Sequence, residues 1–351
     1  MRPHVSIVIP THTERRWESF RRTVASAQRQ THPAAEIVAA VDHHPALATR
    51  IRRELPEIKV CENAYDRGVS GTRNTGAAHT RTPLIAFLDD DTVAAPTWLA
   101  RLIEPFADPA VVGTGGGILP AWEGPRPRWW PDELLWAVGV SYAGMPTETA
   151  RIRNVWSAGM AVRRDAFDLV GGFRTGFGKL GDRNRPEDTE LCLRMSAETG
   201  GSWMYVPGAV IDHEVPASRS TFTFLMRRCY HEGRGKVQMA TLLATSPPTR
   251  APSSLPSAAP SSPVSPSPAS PSPASPRPSS LSGAAARSAA DEALSTETDY
   301  LRRTLPRAVV RNLIDASRGR GAVHALRAGT VIAAVAAAGL GGGVEAVSTL
   351  F

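Results

Sequence analysis

Strand-like and helix-like segments alternate along the N-terminal third of the chain, and this alternation constrains the fold more than any other feature of the sequence. The strand-like runs are short and largely apolar, and the first is rich in β-branched residues: "HVSIVIP", "EIVAAVD", "EIKVCEN" and "LIAFL". Between the first two runs, Trp17, Phe20 and Val24 recur at spacings of three and four, which is typical of one helix face. The alternation predicts a doubly wound α/β fold with a parallel sheet, helices on both faces, and ligands bound beyond the carboxyl ends of the strands.

Three consecutive carboxylates, Asp89, Asp90 and Asp91, directly follow the fourth strand-like run. At an effective dielectric constant of about 20, two carboxylates about 4 Å apart repel each other by roughly 4 kcal/mol, so such a cluster needs a positive charge beside it. Oxygen ligands suit a hard divalent cation such as Mg²⁺ or Mn²⁺, which would bind the phosphates of a nucleotide in turn. An exposed acidic turn that caps the next helix is the alternative. Asp42 ends the second run, at the same predicted edge of the sheet.

A second acidic pair, Glu187 and Asp188, lies in "RPEDTELCLRM", just before apolar residues with helical spacing. This pattern places both carboxylates in the first turn of a predicted helix. Acidic residues in that position often only complement the helix dipole, and this interpretation stays open. The functional interpretation is that one carboxylate faces the metal–diphosphate site and acts as a general base on an acceptor hydroxyl.

The net charge of +7 suits an anionic partner such as a nucleotide, although a mildly basic solvated surface explains it equally well. The arginines are scattered and no aromatic–basic module is present, so we expect no nucleic-acid partner. The three cysteines lie far apart with neither metal-site nor redox spacing, and the N-terminal sequence lacks a signal-peptide pattern. We therefore expect a reduced, cytoplasmic compartment.

The composition divides the chain into three parts. Residues 1–240 carry the strand and helix patterns and form the predicted main domain. Residues 246–283 are almost entirely Pro, Ser and Ala, which cannot bury enough apolar surface to fold, so we expect a disordered linker. Residues 288–351 form a predicted helical tail that is broken at Pro306. Its uncharged run, residues 328–344, is slightly short for a membrane span. We therefore expect a helical hairpin that packs on the protein or on a partner chain. The alternative is a tail that makes peripheral contact with the inner face of the cell membrane.

Six segments occur in the order seen in family 2 glycosyltransferases, and the chain resembles this family over residues 4–235. The segments are "VSIVIPTHTERRWESFRRTVASAQRQ", "VDHH", "DRGVSGTRNTGAA", "PLIAFLDDDT", "WSAGMAVRRDAFDLVGGF" and "PEDTELCLRM". The resemblance implies an inverting, nucleotide-sugar-dependent enzyme of the GT-A fold: an α/β protein with a mixed, mainly parallel sheet, helices on both faces and, in this chain, a helical C-terminal extension. It also implies Mg²⁺ or Mn²⁺ as cofactor and a UDP-sugar as the expected donor.

The matched positions imply specific roles at the donor site. The donor-binding residues that the resemblance implies are Pro10, Thr11, Glu14, Asp42, Arg73, Asn74, Asp89 and Asp90. Among them, Asp42 is expected to contact the nucleotide base, although "VDHH" replaces the acidic-Gly-Ser continuation that is more common in the family. The implied metal ligands are Asp91 and Asp89, the outer members of the D-x-D motif, together with His213 in "VIDHEV".

The resemblance also implies the catalytic and acceptor-side residues. Asp188 matches the catalytic base of the family's E-D motif. The residues expected on the acceptor side are Trp156, Gly159 and Glu187. Sugar-stacking faces could come from Trp129, Trp130, Trp136 and Trp156, although core packing explains these tryptophans equally well. "FLMRRCYHEGRGK" stands where processive members carry Q-x-x-R-W, so we expect transfer of a single sugar to a hydroxyl of a cell-surface glycan, a lipid or a secondary metabolite.

Three other functions stay as alternatives. A Rossmann-type dehydrogenase has little support, because "PTHTERR" follows the first strand in place of G-x-G-x-x-G, and "GTGGG" (residues 113–117) is predicted to be a small-residue strand beside the donor site. A sugar-nucleotide nucleotidyltransferase could also hold a metal with aspartates at a sheet edge, but it would not need the E-D segment. The third alternative is a non-catalytic nucleotide-sugar-binding protein whose tail binds a partner.

Overall fold

The computed structural model describes residues 3–180, 183–245, 300–318 and 322–348. The predicted linker, residues 246–283, lies outside these residues, as does the start of the predicted tail. Within the described residues, most strands join one mixed sheet and two form a separate ribbon. The sheet contains β1 (Val5–Thr11), β2 (Glu36–Val41), β3 (Lys59–Glu62), β4 (Leu84–Leu88), β5 (Thr92–Ala94), β6 (Val111–Trp122), β7 (Ala150–Ile152), β8 (Gly159–Arg163) and β11 (Ser202–Val215), and the ribbon contains β9 (Gly178–Leu180) and β10 (Arg183–Arg185).

The strand order is β3-β2-β1-β4-β8-β6-β11-β5, with β7 paired to β11. From β3 to β4 all neighbouring strands are parallel, as the strand–helix alternation predicts. β8 then runs antiparallel to both β4 and β6, and β6 is parallel to β11. The carboxyl ends of β1, β2 and β4 consequently meet at one edge of the sheet, where an open α/β sheet binds its ligands.

Helices cover both faces of the sheet, which confirms the predicted fold class. They are α1 (Trp17–Gln28), α2 (Pro45–Glu54), α3 (Val69–Ala78), α4 (Trp98–Leu102), α5 (Arg164–Leu169), α6 (Glu187–Thr199), α7 (Phe222–Thr245), α8 (Leu305–Ser317) and α9 (Ala322–Ser348). Alternate residues of β1 point to opposite faces: Ile7 and Ile9 pack in the core with α1, α2, α4 and α7–α9, while Val8 packs with α3, α5 and α6.

The glycine-rich run "GTGGG" lies inside β6, which confirms that it is a strand and not a phosphate-binding turn. Its glycines are required by packing. A Cβ atom at Gly113 would overlap the ring of Trp203, and one at Gly117 would lie 2.6 Å from the carbonyl oxygen of Pro207 on the neighbouring strand. The run therefore lets β6 approach β11 closely.

The described part of the predicted tail is a helical hairpin, α8 and α9, that packs against α7. The expected break at Pro306 takes the form of a change in helix type: a π-helical segment, Tyr300–Thr304, directly precedes α8, and Pro306 lies in the first turn of α8. Gly233 of α7 lies against the backbone of Ala338, and Gly341 of α9 lies against the carbonyl of Tyr230, so small residues bring the two helices together. Within the described residues, α9 contains the one helical stretch, Ala322–Val344, that is long and apolar enough to cross a membrane.

Candidate active site

The side chains predicted for the donor site lie at the carboxyl ends of β1, β2 and β4. Thr11 is the last residue of β1, Asp42 follows β2, and the acidic triplet follows β4. The Thr11 hydroxyl donates a hydrogen bond of 2.8 Å to Oδ2 of Asp90. The parallel part of the sheet therefore brings these segments together, although they are far apart in the sequence.

The positive charge that the acidic triplet requires is supplied by Arg16, in the short 3₁₀ helix after β1. Its Nη1 atom lies 2.7 Å from Oδ1 of Asp90 and 3.1 Å from Oδ2 of Asp91. Asp90 is 4% exposed. Burial, together with repulsion from Asp91, raises the pKa of Asp90 to about 6, although Arg16 and Thr11 oppose the shift. The sequence interpretation missed Arg16; the charge balance of the triplet is the signal that could have found it.

Asp91 and His213 form a buried pair at the same edge. His213 Nε2 lies 3.5 Å from Oδ1 of Asp91, and the backbone N–H of Glu214 donates to the Asp91 carbonyl at 2.9 Å. Burial by itself raises the pKa of Asp91, but His213, Arg16 and Arg219 outweigh it, so the pKa lies well below its usual range. Asp91 is therefore ionised at neutral pH and ready to bind a cation.

Asp91 and His213 fit two neighbouring ligands of one divalent ion. Neighbouring ligands that bind an ion at about 2.1 Å lie about 3.0–3.6 Å apart, and the observed separation of 3.5 Å falls in this range. His213 Nδ1 is buried with no hydrogen-bond partner among the described residues. In the part of the chain that the structure describes, no three His, Cys, Asp or Glu side chains converge on a metal position. Asp89, the other expected ligand, is instead turned toward Arg73.

Arg73 connects the acidic triplet to the second acidic pair. Its side chain is 2% exposed, with Nη2 at 2.7 Å from Oδ1 of Asp89 and Nη1 at 3.1 Å from Oε1 of Glu187. The guanidinium carbon also lies 5.3 Å from the centre of the Phe173 ring. Two segments separated by about a hundred residues are thus joined through a single buried cation, and Asp188 is brought to the same region.

Glu187 and Asp188 open α6 and have raised pKa values. Burial and repulsion from Asp188 raise the pKa of Glu187 to about 7, and Arg73 opposes this shift. Burial also raises the pKa of Asp188, although the Thr189 amide, 2.6 Å from its Oδ1, and the charge of Lys236 lower it. A carboxylate with a raised pKa is a stronger base, so Asp188 has the property that proton removal from a hydroxyl requires.

Thermal unfolding as a function of pH tests the raised pKa of Glu187. A carboxyl group whose pKa is higher in the folded state contributes most stability below its unfolded pKa of 4.5, and this contribution is lost as the pH rises to about 7. We expect the melting temperature to fall over this window. Glu187→Gln should flatten the slope, whereas Glu198→Gln, at an exposed position of the same helix, should retain it. An unchanged slope in Glu187→Gln would contradict the assignment.

Asp42 is held at the edge of the sheet beside α3. Its carboxylate accepts hydrogen bonds from Asn63 Nδ2 at 2.8 Å and from the backbone N–H of Gly68 at 3.0 Å. The aspartate is 7% exposed, so its orientation is set by these contacts. Asp42 thus presents a fixed acceptor at the position expected for base recognition.

The other expected donor-side residues have different environments. Pro10 is buried in β1, whereas Glu14 is exposed and lies 3.6 Å from Arg50. Asn74 donates to the Phe173 carbonyl and accepts from the Phe173 amide, both at 2.8 Å. Its amide therefore supports the backbone of the 171–178 loop.

Two of the expected acceptor-side residues, Trp156 and Gly159, lie where β8 begins, whereas Glu187 opens α6. Trp156 is half-buried and packs edge-to-face on Tyr142, with ring centres 6.0 Å apart. Gly159 is the first residue of β8, and a Cβ there would lie 2.7 Å from Ile211 Cδ1. The sugar-stacking interpretation of Trp130 is wrong, because this side chain is fully buried and donates to the Leu134 carbonyl.

Arg219 is a second cation that the sequence interpretation missed. It ends the 3₁₀ helix after β11, and its charge interacts with Asp91, Arg16 and Arg228. Burial and the two arginines lower its pKa, while Asp91 opposes this shift. Arg16 and Arg219 together place positive charge beside Asp91, where a diphosphate would need it. Arg219 follows the "VIDHEV" motif by four residues, and that proximity to His213 is the signal that could have found it.

Comparison with known proteins identifies the family of the chain. Residues 6–171 match the family model described as glycosyl transferase family 2. The chain is 30% identical to a glucosyl-dolichyl phosphate glucuronosyltransferase of Haloferax volcanii, over 68% of this chain and 78% of the relative. It is 28% identical to the succinoglycan biosynthesis protein ExoM of Rhizobium meliloti, over 56% of this chain and 62% of that relative.

The fold also resembles that of a solved glycosyltransferase. A mannosyltransferase from Pyrobaculum calidifontis, in complex with GDP-Man and Mn²⁺, superposes with a TM-score of 0.52 at 18% identity, over 96% of this chain and 87% of that one. This likeness shows that the two chains share the GT-A architecture. From the family match and the Haloferax relative, the chain belongs to glycosyl transferase family 2 and is a glycosyltransferase.

Proposed function

We propose that the protein transfers a single sugar, with inversion, from a nucleotide-diphosphate sugar to an acceptor hydroxyl, with Asp188 as the general base. The observation that carries this proposal is the Arg73 bridge, which joins Asp89 of the acidic triplet to Glu187, the neighbour of Asp188. A base at this position can remove the acceptor proton as the hydroxyl attacks the anomeric carbon on the side opposite the diphosphate. The anomeric configuration then inverts in a single displacement.

The donor side of the proposal rests on fixed polar groups at the sheet edge. Asp42 would contact the base of the nucleotide, and a UDP-sugar is the expected donor. Arg16 and Arg219 would offset the charge of the diphosphate leaving group. Asp91 and His213 would hold Mg²⁺ or Mn²⁺, which, when bound, neutralises charge on the diphosphate. The Mn²⁺ in the Pyrobaculum calidifontis structure supports a divalent ion as cofactor in this fold.

We also infer that the acceptor hydroxyl belongs to a lipid-linked molecule at the inner face of the cell membrane. The Haloferax volcanii relative is named for its action on glucosyl-dolichyl phosphate, which is a lipid-linked sugar. The apolar helix α9 packs on α7, and α7 carries Lys236 and Glu232, whose charges act on Asp188. A membrane-facing C-terminal hairpin would therefore lie one helix away from the proposed base.

Calorimetry with UDP and Mn²⁺ tests the metal ligand. Asp91→Ala should weaken Mn²⁺-dependent UDP binding by about tenfold or more, because the ion loses its one fully ionised buried ligand. Asp212→Ala is the matched control, since Asp212 is exposed on β11 beside His213. Equal affinities of the Asp91→Ala and unmodified proteins would remove Asp91 from the metal site.

A release assay separates the proposed activity from the two other functions. A glycosyltransferase supplied with UDP-sugar and Mn²⁺, but no acceptor, slowly releases UDP and free sugar. A nucleotidyltransferase would instead need a sugar phosphate and a nucleoside triphosphate, from which it would release pyrophosphate. A non-catalytic binding protein would release nothing. Release of UDP, with loss of the signal on EDTA addition, is the expected result.

A further inference from the structure

The outer face of α9 carries an uninterrupted apolar stripe. From residue 322 to residue 344, every exposed position is Ala, Gly, Leu, Ile or Val, and these positions recur at spacings of three and four. At about 1.5 Å per residue, the stripe is about 34 Å long. Its large side chains are Leu326, Ile332, Val335, Leu340 and Val344, which are 58%, 58%, 41%, 68% and 50% exposed.

The stripe reverses the pattern expected of a helix on a water-facing surface. The buried face of α9 includes Ala328, Thr330, Val331 and Ala334, so it carries one larger aliphatic residue, Val331, whereas five such residues face outward. A helix that packs on a soluble domain normally buries its large apolar side chains and exposes its polar ones. An exposed apolar patch of this length indicates a surface that is covered in the working protein.

The neighbouring helix α8 adds an apolar and basic face. Val310, Leu313 and Ile314 are 56%, 51% and 43% exposed, although all three are aliphatic. Arginines lie beside them: Arg307, Arg311 and Arg318 line a groove of about 490 Å³ together with Pro306, Val310, Ile314 and Asp315, and Arg311 is paired with Glu133. Exposed aliphatic side chains next to arginines are typical of helices that lie at the surface of an anionic bilayer.

The packing of α9 favours a position in the plane of the membrane over a transmembrane one. Its inner face contacts α7 at Gly233 and Tyr230, and Arg327 donates a 2.8 Å hydrogen bond to the Arg128 carbonyl of the catalytic domain. Helix α7 carries the ion pairs of Glu232 with Arg228 and Lys236. If α9 crossed a bilayer, it would have to leave α7 or draw these charges into hydrocarbon.

We propose that the outer faces of α8 and α9 bind the surface of a lipid bilayer with anionic headgroups, and that α9 lies in the interfacial plane. The charge of the α8 arginines selects this partner over a second copy of the chain, because two such faces would bring arginines together. The surface stands on helix faces outside the donor site, so it does not depend on the proposed reaction. It would fix the catalytic domain with α7 between the bilayer and the edge of the sheet.

Vesicle binding by the full chain tests the surface. With phosphatidylcholine–phosphatidylglycerol vesicles, the double variant Ile332→Ser/Leu340→Ser should bind at least about tenfold more weakly than the unmodified protein, since it loses two fully apolar anchors. Leu169→Ser is the matched control, because Leu169 is equally exposed, at 56%, on α5 of the catalytic domain. Replacing Arg307 and Arg318 with Gln should remove the preference for phosphatidylglycerol over phosphatidylcholine alone.

Spin labels test the orientation of α9. The native cysteines, Cys61, Cys192 and Cys229, are all buried, so a label attaches selectively to an introduced cysteine. Labels at Leu326→Cys, Val335→Cys and Val344→Cys should report similar shallow depths in the bilayer. A middle label that lies much deeper than the two end labels would indicate a spanning helix and overturn the in-plane arrangement.

Two further outcomes would overturn the proposal as a whole. One is unchanged vesicle binding by the Ile332→Ser/Leu340→Ser variant. The other is an unmodified protein that does not bind vesicles but sediments as a dimer, together with a double variant that sediments as a monomer. This result would assign the face to a second copy of the chain. UDP release without acceptor, measured in the same samples, should be equal in all variants, so failure of membrane binding is distinguished from failure of the enzyme.

Discussion

Replacing Asp188 with asparagine will lower sugar transfer by about a thousandfold while nucleotide binding stays unchanged. The amide has nearly the same shape but cannot accept the acceptor's proton at neutral pH. Burial raises the pKa of the Asp188 carboxylate, so the lost group is a stronger base than an exposed aspartate. The effect should appear in kcat for transfer, with the affinity for UDP and Mn²⁺ retained, because the proposed donor-binding residues and metal ligands all lie outside α6.

The chain offers a closely matched control for this substitution. Asp165 is the second residue of α5 and accepts the Ala166 amide at 2.7 Å, just as Asp188, the second residue of α6, accepts the Thr189 amide at 2.6 Å. Asp165→Asn reproduces the local change at a helix start and should leave transfer intact. Equal turnover in Asp188→Asn and the unmodified protein would remove Asp188 as the base. Retention of the anomeric configuration in the product would exclude the single displacement.

The sequence predicts the features of this fold that depend on local periodicity. Buried strands such as β1 and β4 are short apolar runs, and the meeting of the polar residues at their ends follows from the parallel sheet. The first turn of α6 is equally visible, because Glu187 and Asp188 precede apolar residues with helical spacing. These features depend on contacts between neighbouring residues or on the sheet topology alone.

The charge network depends on tertiary contacts and could not be predicted in the same way. Arg73 lies within α3, and the family resemblance marks it as a donor-binding residue, but its contacts with both Asp89 and Glu187 appear only in the fold. Arg16 similarly reaches Asp90 across the sheet edge. The sequence indicates that the carboxylates need a counter-charge, but only the folded arrangement shows that Arg16 and Arg73 provide it.

The C-terminal hairpin shows the same limit for a surface. The Ala- and Gly-rich composition of α9 is compatible with a buried helix, a membrane helix or a helical hairpin. These possibilities differ in which face of α9 is buried. In the fold, the buried face is the one that packs on α7, where Gly233 lies against the backbone of α9. Because this close contact requires small residues on the buried face, most of the larger aliphatic side chains of α9 lie on its exposed face.

Replacing Arg73 with methionine should destabilise the protein by about 3 kcal/mol, which is the lower end of the range for breaking a buried ion pair. The substitution keeps much of the side-chain length but removes the one cation shared by Asp89 and Glu187. Glu187 can then take up a proton, because its pKa is already raised to about 7 and loses the opposing effect of Arg73. The protonation limits the loss of stability, so the destabilisation should be smaller at pH 6 than at pH 8.

Denaturant unfolding at the two pH values measures this effect. The control is Arg22→Met, which removes an ion pair between Arg22 and Glu214 at a position where the arginine is 56% exposed, and it should cost less than about 1 kcal/mol. In the double variant Arg73→Met/Glu187→Gln, part of the lost stability should return, because a neutral amide leaves only Asp89 without its partner. A loss below about 1 kcal/mol in Arg73→Met, or equal losses at pH 6 and pH 8, would mean that Arg73 does not hold the two acidic segments together. The bridge would then not be the element that brings Asp188 to the acidic triplet, and the proposed base would need another source of positioning.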